Sequence, residues 1–121
     1  MKTGLKTRSY LYAFKIIKFL DSLKQADGTI QVISKQLLRS ATSIGANVIE
    51  AQTGSTRKDF TNFFSSALKS ANESKFWLGL LRGSKKAEST TVNELLYETN
   101  QIANIFGSSI IILKKGLKFN F

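Results

Sequence analysis

The chain has 121 residues, 42% of them hydrophobic, and contains no cysteine, no histidine and no proline. Eighteen lysines and arginines oppose eight acids, which gives a net charge of +10 and a pI near 10.0. These numbers exclude disulfides, thiol nucleophiles and the usual zinc and haem sites, and they remove the common general base of neutral pH. We therefore expect a protein that is not an enzyme and needs no cofactor.

The first predicted helix covers about residues 8–26. Its polar positions fall on one narrow stripe formed by Lys15, Lys18, Ser22 and Gln25, and nearly everything else is apolar. This apolar face is wider than a surface helix needs. It predicts burial on two sides, one against the rest of the protein and one against another subunit.

The second predicted helix covers residues 29–52, because apolar residues recur at spacings of three and four from Ile30 to Ala51. The preceding Asp27-Gly28 pair predicts a turn. Gly54 is expected to end the helix in the left-handed conformation that glycine tolerates.

The third and fourth predicted helices begin at candidate capping boxes. Thr56 and Asp59 form the first, and Thr91 and Glu94 form the second. Gly116 is expected to end the fourth helix. Four helices with short connections predict one all-α domain, residues 1–121, folded as an antiparallel up-down-up-down four-helix bundle that assembles into a ring.

One polar row stands out on the second helix. Its members, spaced for a single face beside small residues, are Arg39, Ser43, Asn47 and Glu50. A tight helix contact with an intramolecular hydrogen-bonding row is the favoured interpretation, and a groove that recognises a partner is the alternative. On the third helix, Glu73 is expected to pair with a cation such as Arg39 rather than to act as a catalytic carboxylate.

The cations are dispersed along the chain, but an up-down bundle gathers some of them. Both chain ends and the turn between the second and third helices fall at the same end. Eight candidate phosphate-binding residues are therefore expected there, with Asp59 as the only nearby acid: Lys2, Lys6, Arg8, Arg57, Lys58, Lys114, Lys115 and Lys118. A basic face that serves only solubility is the alternative.

Several segments resemble the four-helix-bundle 23S rRNA-intervening-sequence protein family, namely residues 35–51, 58–60, 67–71 and 73–81. The resemblance implies an antiparallel bundle in a homopentameric ring and an association with RNA. A related bundle is the accessory variability determinant of diversity-generating retroelements, which works with a reverse transcriptase and binds nucleic acid. No catalytic residue transfers from either group, and Gly79 departs from the larger polar residue expected there.

The leading hypothesis is a basic oligomer that binds RNA, with ribosomal RNA as a candidate, through phosphate contacts. The alternative is a protein-interaction ring, such as an accessory protein of a reverse transcriptase. The segment formed by the first eight residues is short and polar, unlike a secretory signal. The most apolar stretch is far shorter than the ~20 residues that a membrane span needs. These features predict a cytoplasmic protein without a membrane partner.

Overall fold

The computed structural model describes residues 4–54 and 56–116, which form four long helices. They are α1 (Leu5–Asp21), α2 (Gly28–Thr53), α3 (Arg57–Gly83) and α4 (Ser89–Lys114). Consecutive helices pack against each other in the order α1, α2, α3, α4, and α1 touches α4 least. The predicted all-α, up-down-up-down bundle is confirmed. Assembly into a ring involves further copies of the chain and stays a prediction.

Each helix buries one apolar row in a shared core. Tyr12 and Ile16 come from α1, Leu37 and Ile44 from α2, Phe64 and Leu78 from α3, and Ile102 and Phe106 from α4. The predicted apolar row of α2 therefore faces inward. The buried row of α3 passes through Ala71, Ser74 and Leu78, so Ser74 takes the place of an apolar residue in this pattern. Its hydroxyl lies 2.8 Å from that of Ser40, which brings α2 and α3 close together.

Side chains define two of the helix starts. The carboxylate of Asp27 accepts the backbone N–H groups of Thr29 and Ile30, so the predicted turn residue is the N-cap of α2. The hydroxyl of Thr56 accepts the N–H of Asp59, as the first predicted capping box requires. Capping therefore explains where α2 and α3 begin.

Three predicted helix boundaries and the predicted conformation of Gly54 are wrong. The first helix runs from Leu5 to Asp21, so it both starts and stops earlier than residues 8–26. Helix α4 starts at Ser89 with Glu88 at the N-cap position, not at Thr91, whose hydroxyl instead donates to Glu88. Gly54 is extended, with φ −67°, so it ends α2 without a left-handed cap. Gly116 does adopt the left-handed conformation at the end of α4, with φ +70°.

No helix in residues 4–54 and 56–116 is long and apolar enough to cross a membrane.

Candidate nucleic-acid interface

The register of α3 and α4 brings four cations to one end of the bundle. The rings of Phe64 and Phe106 meet edge to face with centroids 5.1 Å apart. Counting seven residues outward along each antiparallel helix places Arg57 opposite Leu113. Arg57 and Lys58 at the start of α3 therefore lie at the same end as Lys114 and Lys115, and all four are exposed. We call these four residues the cationic end.

Two predicted members of this group are placed elsewhere because α1 is short. Tyr12 of α1 lies against Thr99 of α4, so Leu5 falls opposite Phe106 and α1 begins about 12 Å short of the end of α4, at 1.5 Å per residue. The expectation that Lys6 and Arg8 lie at the end of the bundle is therefore wrong.

Both displaced cations have other surroundings. Lys6 lines the seam between α1 and α2. Arg8 forms an ion pair with Glu98 at 3.2 Å and also bonds Gln101, in the middle of α4. Lys2 and Lys118 lie outside the described residues.

The acid at the cationic end is the expected one. Asp59 lies in the first turn of α3. Glu50 lies one turn before the end of α2, and the bond between Ser43 and Ser70 places it opposite Phe63, about 9 Å from Arg57 along the axis at 1.5 Å per residue. In the described part of the chain, four exposed cations and Asp59 leave the cationic end positive by three charges rather than by the seven expected.

Three other acids are held by cations away from this end. Glu98 binds Arg8, Glu73 binds Arg39, and Asp27 binds Lys86 at 2.7 Å. The bond from Lys86, with the two capping N–H groups, holds the pKa of Asp27 below its usual range. Lys86 follows α3, so this pair ties the connection after α3 to the start of α2, at the far end of the bundle.

The polar row on α2 acts mainly within the chain. Arg39 bonds both Gln36 and Glu73, which makes the predicted cross-helix pair. The indole of Trp77 donates to the same carboxylate of Glu73 at 3.1 Å. This bond, together with the Arg39 pair, outweighs partial burial and lowers the pKa of Glu73.

The next turns of the row continue the contact between α2 and α3. The amide of Asn47 donates to the backbone oxygen of Ser43 at 2.8 Å, and the hydroxyl of Ser70 donates to that of Ser43 at 3.0 Å. Glu50, the last member, is exposed one turn before the end of α2. The structure therefore gives the row two residues that bond α3, Arg39 and Ser43, one that bonds within α2, Asn47, and one exposed acid.

Sequence reasoning missed a groove between α1 and α2, where Ser9 lies against Gly45. A Cβ atom added to Gly45 would meet the Cβ of Ser9 at 3.6 Å, so the two helices approach closely there. The small residues of α2 stood out in the sequence. The small residues Ser9 and Ala13 of α1, which lie against them, are the signal that could have predicted the groove. In the described residues, no group of three or more acidic side chains could hold a metal ion.

Comparison with known proteins adds three findings. No curated protein matches the chain. The chain is similar to the crystal structure of a protein with unknown function from the S23 ribosomal protein family of Bacteroides thetaiotaomicron, with 34% identity and a TM-score of 0.82. That similarity covers 88% of this chain and 98% of the other. The family model of the 23S rRNA-intervening sequence protein matches residues 4–108, and the chain therefore belongs to this family.

Proposed function

We propose that this protein binds RNA, through contacts between its cationic end and RNA phosphates. The carrying observation is the grouping of Arg57, Lys58, Lys114 and Lys115, all exposed, at one end of a chain with a net charge of +10. Lysine and arginine at a polyanion release condensed counterions, which supplies affinity without reading sequence. The interaction is non-catalytic.

Several cations outside this end bind groups of the same chain. Arg8, Arg39 and Lys86 bind carboxylates. Arg82, at the far end, donates to Asn93 at 2.7 Å. These four cations hold helices and connections together.

The family name supports RNA as the polyanion, because it links these proteins to an intervening sequence of 23S rRNA. Self-assembly, which the wide apolar face of α1 predicts, would raise the affinity further. Several cationic ends on one particle would contact one RNA at once, and multivalency increases avidity without any new type of contact.

The test compares two variants with equal charge. One replaces the cationic end: Arg57→Gln, Lys58→Gln, Lys114→Gln and Lys115→Gln. The matched control removes four exposed lysines elsewhere: Lys24→Gln, Lys35→Gln, Lys69→Gln and Lys85→Gln. Binding to a structured RNA is measured by fluorescence anisotropy over a salt series.

We expect the cationic-end variant to bind at least tenfold more weakly than the control. Its plot of log K against log salt should also be less steep, by about 0.7–0.9 for each phosphate contact that is lost. Equal losses in the two variants would assign any binding to net charge alone. Absence of binding by the wild-type protein at low salt would overturn the proposal, and co-purification of a protein partner without RNA would favour the protein-interaction alternative.

A further inference from the structure

The groove between α1 and α2 is an apolar surface that the single chain leaves open. It has a volume of about 420 Å³. Its floor is made of small residues, and Tyr10 and Ile49 form its walls. The floor residues are Ser9, Ala13, Gly45 and Ala46. Because small side chains form the floor and large side chains form the walls, the groove has room for a bulky side chain.

A buried hydroxyl lies at this floor without a hydrogen-bond partner. Ser9 is fully buried, and its Oγ is the one buried side-chain polar atom in the described residues that has no partner. An unsatisfied buried hydroxyl costs about 1–3 kcal/mol. This hydroxyl is closed off from solvent and lies beneath the groove, at the close approach of α1 and α2.

The apolar surface around the groove is large. It continues along α1 as Phe14 and Ile17, and with Tyr10 and Ile49 these side chains are between 40% and 69% exposed. At about 200 Å² for each large side chain, roughly 400 Å² of apolar area is left in contact with water. That is about half of the ~800 Å² that each partner buries in a standard interface.

The charge of the groove argues against an anionic occupant. Only Lys6 among the lining residues is charged, although 21% of the chain is charged. A groove for nucleic acid or for an acidic protein would carry more cations. The lining therefore suits an apolar occupant.

The same chain carries a convex apolar feature of matching character. Phe76 and Leu80 project from the outer side of α3, where they are 58% and 41% exposed, and we call them the α3 ridge. The ring of Phe76 packs edge to face on Trp77 at 4.9 Å, which restrains it before any partner binds.

We propose that the α1–α2 groove of one copy receives the α3 ridge of a second copy. Helix α3 lies diagonally across the bundle from α1, so groove and ridge belong to different faces and cannot meet within one chain. A contact between two different faces is heterologous, and repeated contacts of this type close into a ring or extend as a filament. The proposal does not depend on RNA binding, because it uses none of the cationic end.

The experiment introduces one lysine into the groove or into the α3 ridge, so that each surface is blocked separately by the same charge. Ala46→Lys places a lysine on the exposed rim of the groove floor, and Phe76→Lys replaces the ridge. Val32→Lys is the control: it is 63% exposed and lies fourteen residues before Ala46, about 21 Å along α2. Mass is measured by size-exclusion chromatography with light scattering, and helix content is checked by circular dichroism.

We expect the wild-type protein and Val32→Lys to form an oligomer at micromolar concentration. Ala46→Lys and Phe76→Lys should each run as the 13.5 kDa monomer. An equimolar mixture of the two blocked variants should contain a 1:1 dimer, because the intact ridge of the first fits the intact groove of the second.

Each other outcome contradicts the proposal. A monomeric wild-type protein means that the groove binds no second copy. Oligomers that survive both substitutions place the interface elsewhere. Two monomeric variants that fail to pair when mixed show that the contact joins identical faces rather than groove and ridge.

Discussion

The hydroxyl of Tyr12 lies 2.6 Å from the hydroxyl of Thr99, inside the core, and connects α1 to α4. The hydroxyl of Thr99 also donates to the backbone oxygen of Leu95 at 2.6 Å. A threonine hydroxyl has one proton, so Tyr12 is the donor in the first bond. The bond joins the two neighbouring helices that touch least, and it helps to set where α1 lies along the bundle.

Tyr12→Phe should therefore lower the free energy of unfolding by about 1 kcal/mol, the usual net value of an intramolecular hydrogen bond. Thr99 keeps its bond to Leu95, so no hydroxyl is left without a partner. Urea denaturation followed by circular dichroism measures the change. The control is Tyr97→Phe, which alters a 66% exposed side chain and should change stability little. Equal effects of the two substitutions would contradict a specific role for the Tyr12 bond.

Alkaline pH should reveal the same residue. Burial raises the pKa of Tyr12 from 10.0 to about 12. The raised pKa means that the stability contributed by neutral Tyr12 is complete below pH 10 and is lost as the pH rises through 12. The loss amounts to about 3 kcal/mol for two pH units.

Lysines lose their charge in the same pH range and also change the stability. The effect of Tyr12 is therefore read from the difference in stability between the wild-type protein and Tyr12→Phe. The gap in unfolding free energy between wild type and Tyr12→Phe is measured at pH 9 and again at pH 11. The wild-type protein should lose more stability than the variant between these values. An unchanged gap would mean that Tyr12 ionises equally easily in the folded and unfolded states.

Acid pH should report on Glu73 through Trp77, which is the single tryptophan of the chain. The indole bond and the Arg39 pair hold the pKa of Glu73 below its ordinary value of 4.5. The depressed pKa means that the ionised carboxylate contributes stability above pH 4.5, and that this contribution is lost as the pH falls. Tryptophan fluorescence of the folded protein should therefore change with a midpoint below 4.5. In Glu73→Gln this transition should disappear, and a transition that persists would assign it to another acid.

The helices were predictable because their information is local. Apolar residues at spacings of three and four mark a buried face wherever the partner helix lies. Arg39 and Glu73 could be paired in advance because both occur on inner flanks of neighbouring helices. Arg8 could not be placed, because its position depends on how far α1 slides along the bundle. That register is set by the approach of Ser9 to Gly45 and by the bond of Tyr12 to Thr99, and no single segment encodes it.

Ser74 shows a similar limit, and it supports a prediction. The pattern of α3 calls for an apolar residue there, yet the hydroxyls of Ser74 and Ser40 lie 2.8 Å apart and both residues are fully buried. Ser74→Leu should fill the pattern and still lower the unfolding free energy by about 1–3 kcal/mol, because an overpacked core forces helices apart.

Ser74→Ala is the matched variant for this measurement. It removes the hydroxyl without adding volume, and the hydroxyl of Ser40 keeps its bond to the backbone oxygen of Leu37. We expect a loss of about 1 kcal/mol or less in urea denaturation. If the leucine variant were as stable as the alanine variant, α2 and α3 would have more room between them than the Ser40 contact indicates.

Ser9 should behave differently from the other buried serines. Its hydroxyl has no partner in the single chain, so Ser9→Ala should leave stability unchanged or raise it by about 1 kcal/mol. Ser109→Ala is the control, because the Ser109 hydroxyl donates to the backbone oxygen of Ile105 at 2.7 Å and its loss should be destabilising. Both substitutions are made in the Ala46→Lys background, where the groove is expected to be empty. A destabilised Ser9→Ala variant in this background would mean that the hydroxyl is satisfied within the monomer.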